Sequence, residues 1–225
     1  MVSYRTGLHP SSILPRAFYE RDTLTVARAL LGQRLVRIVE GQRLSGRIVE
    51  VEAYLGEDDQ ASHARVGPTR RNAPMYGPPG HAYVYFIYGM HWMFNIVTEP
   101  AGIPAAVLVR AIEPEEGIEV MRQRRRGRPD RELTNGPARL CQALAIDGSL
   151  NGVDLCDGRL LFVEAAPSVP DAQVARGPRV GVRGDRQALT APWRFWVRGN
   201  PYVSKGGGTV TGRMARTDRP TKKGA

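Results

Sequence analysis

A chain of 225 residues that is 42% hydrophobic can bury one packed core, and its net charge of +10 sets it apart from neutral metabolic enzymes. Such a charge favours a polyanion, because each neutralised phosphate releases counterions; an arginine-rich proteome or a membrane surface would also account for it. Cys141 and Cys156 lack CxxC or CxxH spacing, which argues against a disulfide scaffold or a zinc ribbon, and no apolar run reaches the 18 residues of a membrane span or forms a secretory leader, so a soluble cytoplasmic protein is expected.

Residues 1–16, with their prolines and serines, read as a loosely held arm. The spacing of Leu24, Ala27, Leu30 and Leu31 predicts a helix over 20–33, capped by Asp22 or Thr23 and stopped by Gly32. Strands follow at 34–40 and 45–54, joined around Gly41. In the second, strict alternation puts Ile48, Glu50, Glu52 and Tyr54 on one face and Val49, Val51 and Ala53 on the other. A long polar segment from Leu55 to Gly80 reads as a binding loop or a disordered one. Two β-rich runs, Tyr83 to Tyr88 and Trp92 to Val97, flank Gly89 as a hairpin. A three-residue loop from Gly89 to His91 would place Tyr85 opposite Asn95, whereas a two-residue loop would put them on opposite faces. An apolar strand at 106–112 precedes a helix at 114–126 with Pro114 in its first turn, then a helix at 136–146 and short strands near 159–164, 178–183 and 193–198. Residues 205–225 read as a disordered basic tail. Helices and strands do not alternate as a doubly wound sheet requires, so one α+β domain with an antiparallel core is expected over 17–204.

Several groups could carry chemistry. Glu52 and Tyr54 share a strand face, but Glu50 occupies it too and is equally eligible. Aromatic rings concentrate near the hairpin tip, at Tyr83, Tyr85, Tyr88, His91 and Trp92; they could pack across the strands or meet nucleobases. Arg110 ends an apolar strand and could be solvated, pair with a surface acid, or hold a carboxylate or a water. The arginines between Arg122 and Arg131 read as a solvated face at a helix end, and Glu57, Asp58 and Asp59 as exposed loop acids. The histidines lack metal-ligand spacing, so no metal is expected.

Taken together, these segments resemble the alkyladenine (3-methyladenine) DNA glycosylase family, the type without a helix-hairpin-helix. The matching stretches run from Glu50-Val51-Glu52-Ala53-Tyr54-Leu55-Gly56, through His63 and Thr69-Arg70-Arg71-Asn72, to the hairpin Tyr83–Met90 and Asn95. They continue with Leu108–Pro114, Gly136–Leu144, Arg179-Val180-Gly181-Val182, Trp193–Gly199, Pro201 and Ser204. One departure is Arg70, where the family often carries proline.

The resemblance implies a curved antiparallel β-core with surrounding helices and a protruding hairpin. It implies that Glu52 activates the attacking water, helped by Arg110 and the backbone carbonyl of Val180. A glutamate of ordinary pKa is already ionised at neutral pH. Tyr54, His63 and Tyr85 would sandwich a flipped purine, Tyr88 would fill the gap in the stack, and Asn95 would crowd the amino group of normal guanine. Thr69, Arg71, Arg139, Arg194 and Ser204 would touch the DNA backbone. The implied partner is double-stranded DNA containing damaged purines, bound by a monomer without cofactor, in the cytoplasm and on the nucleoid when engaged.

Independently of the resemblance, only three of the 32 basic residues are lysines, Lys205, Lys222 and Lys223. Strand cleavage through a Schiff base needs a reactive amine, usually lysine, so excision by water alone is expected. Two rival readings are an inactive DNA-binding module and a metal-dependent nuclease built on Glu57, Asp58 and Asp59.

Overall fold

The computed structural model describes residues 13–206, so most of the expected N-terminal arm and all but the first two residues of the expected tail lie outside the described residues. The predicted helix is α2 (Thr23–Leu30), and a short helix that the sequence did not suggest, α1 (Arg16–Tyr19), precedes it. Asp22 caps α2 by accepting from the Thr25 amide, and Val26, Ala27 and Leu30 enter the core.

The strands β1 (Arg34–Val39) and β2 (Gln42–Leu55) are joined by Glu40 and Gly41, both at positive φ, a two-residue turn whose twist suits a hairpin. Then come β3 (Ala82–Ile87), β4 (His91–Thr98) and β5 (Ala105–Glu116), with α3 (Ile118–Arg124) and α4 (Pro137–Ala143) after them. The chain ends with β6 (Leu161–Glu164), β7 (Val174–Gly177), α5 (Arg186–Thr190) and β8 (Arg194–Val197). The eight strands form one antiparallel sheet in the order β3-β4-β5-β2-β1-β6, with β8 pairing both β2 and β7. The α+β architecture is the one the sequence predicts.

The long strand β2 organises this sheet. One edge pairs with β5 along almost its whole length; the other pairs first with β1 and then, at Glu50 to Glu52, with β8. Register shifts flank Glu50, so the strict alternation predicted there breaks: Ile48 packs in the same core as Val51 and Ala53.

Three further expectations are corrected. Pro114 lies in β5, not in a helix, opposite Gly46 at a register shift. A Cβ on Gly46 would stand 2.6 Å from the Glu113 carbonyl oxygen, so glycine permits the close approach that carries the strand past its proline. As β5 runs on to Glu116, Arg110 is a buried mid-strand residue and not a strand end. Residues 178–183 are not a strand; their place in the sheet is taken by β7, and Val180 gives its amide to a side chain instead. Among the described residues, no helix is long and apolar enough to cross a membrane.

Candidate active site

Register alone assembles the site. Tyr83 pairs with Asn95, Asn95 with Leu108, Leu108 with Glu52 and Glu52 with Arg194, a single row across five strands. Directly paired residues share a sheet face, so this row, with Tyr54 and Tyr85 two positions along their strands, builds one surface. The segment between Leu55 and Gly80 covers it, resting on a small core of Ala64, Met75, Tyr83, Val97 and Ala106. Between sheet and cover lies a cavity of about 530 Å³. Glu52, Tyr54, His63, Tyr85, Tyr88, Asn95, Arg110 and Val180 all line it. Every residue that the sequence assigns to catalysis, to the base pocket or to the hairpin wedge therefore meets at one opening.

The hairpin loop is three residues long, but it is Tyr88 to Met90, so Tyr85 faces Met93 and Tyr83 faces Asn95. The expected pairing of Tyr85 with Asn95 is corrected by two residues. Their shared face survives, because an even shift preserves parity. The Asn95 amide group donates to the Tyr83 carbonyl at 3.1 Å, which fixes its orientation.

The Glu52 carboxylate is wholly buried, accepts two hydrogen bonds and pairs with Arg110. Oε1 accepts from the Val180 amide at 2.6 Å and lies 3.1 Å from Arg110 Nη1, while Oε2 accepts from the Tyr54 hydroxyl at 3.0 Å. Burial, reinforced by the Glu52 charge, pushes the Tyr54 hydroxyl well above the usual tyrosine range, so it keeps its proton and donates. Glu50, equally buried, takes Arg110 Nε at 2.8 Å and Arg194 Nε at 2.7 Å. Arg110 thus bridges both strand carboxylates.

Asp59 is not an exposed loop acid. It is buried in a two-pronged pair with Arg179, at 2.5 and 2.7 Å, and neither side chain is exposed. Arg179 also donates to the Ala53 carbonyl and lies over the rings of Tyr54 and Trp193. The pair ties the covering loop to the residue preceding Val180, and so sets the amide that reaches Glu52. Sequence reasoning missed Asp59 and left Glu50 undecided; Arg179 appeared only as part of a matched stretch. Among the described residues, no group of three His, Cys, Asp or Glu is placed to hold a metal ion.

His63 Nδ1 lies 2.8 Å from the Tyr83 hydroxyl, and its ring meets Tyr85 edge-on at 4.4 Å. Burial, with Arg71 and Arg65 nearby, lowers the His63 pKa to about 4. Burial raises Tyr83 to about 12, so the phenol is the donor and the imidazole the neutral acceptor. His63 and Tyr85 touch and form one part of the cavity lining, to which Tyr54 also contributes.

At the hairpin tip, Tyr88 is 77% exposed with φ of 55°, and Met90 is 67% exposed. The predicted backbone contacts divide into two groups. Thr69, Arg71 and Arg139 are exposed; Thr69 is bonded to Asn72, Arg71 to the Phe86 carbonyl and Arg139 to Asn135. Arg194 and Ser204 face inward onto Glu50. In the arginine run, Arg122 pairs with Asp130 and Glu119, and Arg125 bonds Gln142, in keeping with a surface face rather than a dedicated site.

Comparison with known proteins agrees with this geometry. Residues 17–201 match the family described as Methylpurine-DNA glycosylase (MPG). A relative from Methanocella arvoryzae is 50% identical over 194 residues, covering 86% of this chain and 96% of its own. One from Carboxydothermus hydrogenoformans is 48% identical over 193 residues, covering 86% and 99%. One from Bacillus cytotoxicus is 46% identical over 202 residues, covering 85% and 98%. All three bear the name "Putative 3-methyladenine DNA glycosylase".

Proposed function

The chain belongs to the methylpurine-DNA glycosylase family, and from that premise we propose that it turns an alkylated or deaminated purine out of duplex DNA and hydrolyses its N-glycosidic bond with water, leaving an abasic site. The observation that carries this reading is the state of Glu52, a buried carboxylate at an aromatic cavity that accepts two hydrogen bonds and pairs with Arg110. A carboxylate offers about four acceptor positions. The Val180 amide takes one on Oε1, beside which Arg110 pairs, and the Tyr54 hydroxyl takes one on Oε2, so the second position on Oε2 is the one assigned to the attacking water.

In the proposed step, that water's oxygen bonds to the sugar C1′ and its proton passes to Glu52. The C1′–N bond breaks, and its electron pair leaves with the base. Arg110 and the backbone of Val180 keep the carboxylate and the water in line. A cavity of about 530 Å³ suits a single purine, since small-molecule sites run from roughly 300 to 1,000 Å³. Tyr54 lies on one face of the base, His63 and Tyr85 on the other, and Asn95 excludes guanine by crowding its amino group. Tyr88 enters the stack that the base vacates, offsetting an unstacking cost of a few kcal/mol. Thr69, Arg71 and Arg139 steady the backbone.

Among the described residues, no lysine lines the cavity, which supports excision without strand cleavage. The test is a labelled duplex carrying hypoxanthine or ethenoadenine, incubated with the full chain in EDTA. Breaks that form only after alkali are the expected result. Breaks that form without alkali, and persist in Lys205→Ala with Lys222 and Lys223 also replaced, would contradict it. Loss of activity in EDTA would favour the metal-dependent nuclease.

A further inference from the structure

We infer that Glu50, Arg194 and Ser204 form an internal clamp that aims Arg110 at Glu52, so that Arg194 and Ser204 serve the chemical step and not the DNA backbone. This inference rests on the function proposed above.

Glu50 has no exposed surface and sits between Arg110 and Arg194. Its Oε1 accepts from Arg110 Nε, Arg194 Nε and the Ser204 hydroxyl at 2.7 to 2.8 Å, and its Oε2 accepts from the Ser204 amide at 2.6 Å. A buried carboxylate tolerates dehydration only when paired and bonded in this way, yet an ion cluster of this kind adds little stability over an apolar core of equal volume. What it does supply is orientation. Each nitrogen of the Arg110 guanidinium has its own partner: Nε on Glu50, Nη1 beside Glu52 and Nη2 on the Ser204 hydroxyl at 3.2 Å. A planar fork held at all three nitrogens cannot rotate away from Glu52.

Ser204 reaches this place because the chain turns back after β8. Asn200 bonds Glu113 on β5 at 2.8 Å and accepts from the Tyr202 amide at 2.9 Å. Arg194 lies over the Trp196 ring, and its side chain is only 12% exposed. A phosphate could claim Ser204 only by taking its amide and hydroxyl off Glu50, which would release Arg110.

The experiment compares the wild type, Ser204→Ala and Glu50→Gln by single-turnover excision at saturating enzyme, by affinity for the lesion duplex across a salt series, and by thermal melting. Ser204→Ala removes one hydroxyl and spares the amide, so it remains informative if Glu50→Gln does not fold. The expected result for Ser204→Ala is a saturated rate lower by on the order of tenfold, because two bonds to charged groups are lost. Affinity should stay within about twofold at every salt concentration, since a lost hydrogen bond to the DNA backbone would weaken binding and not the saturated rate. A weakened affinity with a normal saturated rate would assign Ser204 to the backbone and overturn the inference. A variant indistinguishable from an active wild type would overturn it too. A wild type that excises nothing would instead remove the proposed function on which the clamp rests.

Discussion

Two regions share the mouth of the cavity and are built in opposite ways. The wall made by β2, β5, the Arg179 loop and the start of the covering segment carries three buried acids, Glu50, Glu52 and Asp59, and each is met by arginine, by backbone amides or by both. The hairpin tip carries large side chains with little around them, Tyr88 and Met90, on a turn where Tyr88 itself has positive φ. On the proposed function, the wall holds charges whose geometry must not drift during reaction, which preorganisation favours. The tip holds apolar surface that gains a partner only when something outside the chain arrives. On the proposed function, chemistry and recognition are thereby separated along a single sheet.

Breaking the wall should cost the most. Arg179→Ala leaves Asp59 buried without its partner, and loss of one member of such a pair destabilises by about 3–5 kcal/mol. Denaturant unfolding should show this, together with loss of activity, since Val180 and the covering loop are released. A variant as stable as the wild type would mean that the wall does not depend on this pair.

The tip should answer in the reverse sense. Tyr88→Ala removes an exposed side chain and should leave stability within about 0.5 kcal/mol. Affinity for a lesion duplex should nevertheless fall by about 1–3 kcal/mol, as expected for a ring that stacks with bases. Equal binding by the two proteins would count against the wedge.

A smaller effect sharpens the boundary between the regions at His63. Its pKa is lowered from 6.5 to about 4, chiefly by burial. Between those values the unfolded chain takes up a proton that the folded chain refuses. His63 therefore adds stability that is complete above pH 6.5 and is lost as the pH falls towards about 4. Unfolding midpoints measured across this window should decline less in His63→Gln than in the wild type, and the ring should titrate near 4 by NMR. Titration near 6.5 would show that the imidazole is not enclosed.

The same contrast explains what could be read without a structure. The hairpin was legible because an apolar run, a glycine and a second run encode it locally, and parity kept Tyr85 and Asn95 on one face although the loop was misplaced by one residue at each end. Pro114 misled because the freedom that admits it to β5 resides in Gly46 on the neighbouring strand. Asp59 and Arg179 lie 120 residues apart, and neither carries a local sign of the other. Glu50 and Glu52 were inseparable on a regular strand; the register shifts beside Glu50 and the arrival of β8 distinguish them. Arg194 and Ser204 matched the family in order and spacing, but which way they face follows only from how the chain folds back after β8.

The central claim is that Glu52 activates water, and single-turnover excision by the wild type and Glu52→Gln on a hypoxanthine duplex in EDTA tests it most directly. The account predicts that Glu52→Gln binds the duplex as tightly as the wild type and excises slower by on the order of 10²- to 10⁴-fold. Excision by Glu52→Gln at the wild-type rate would contradict it.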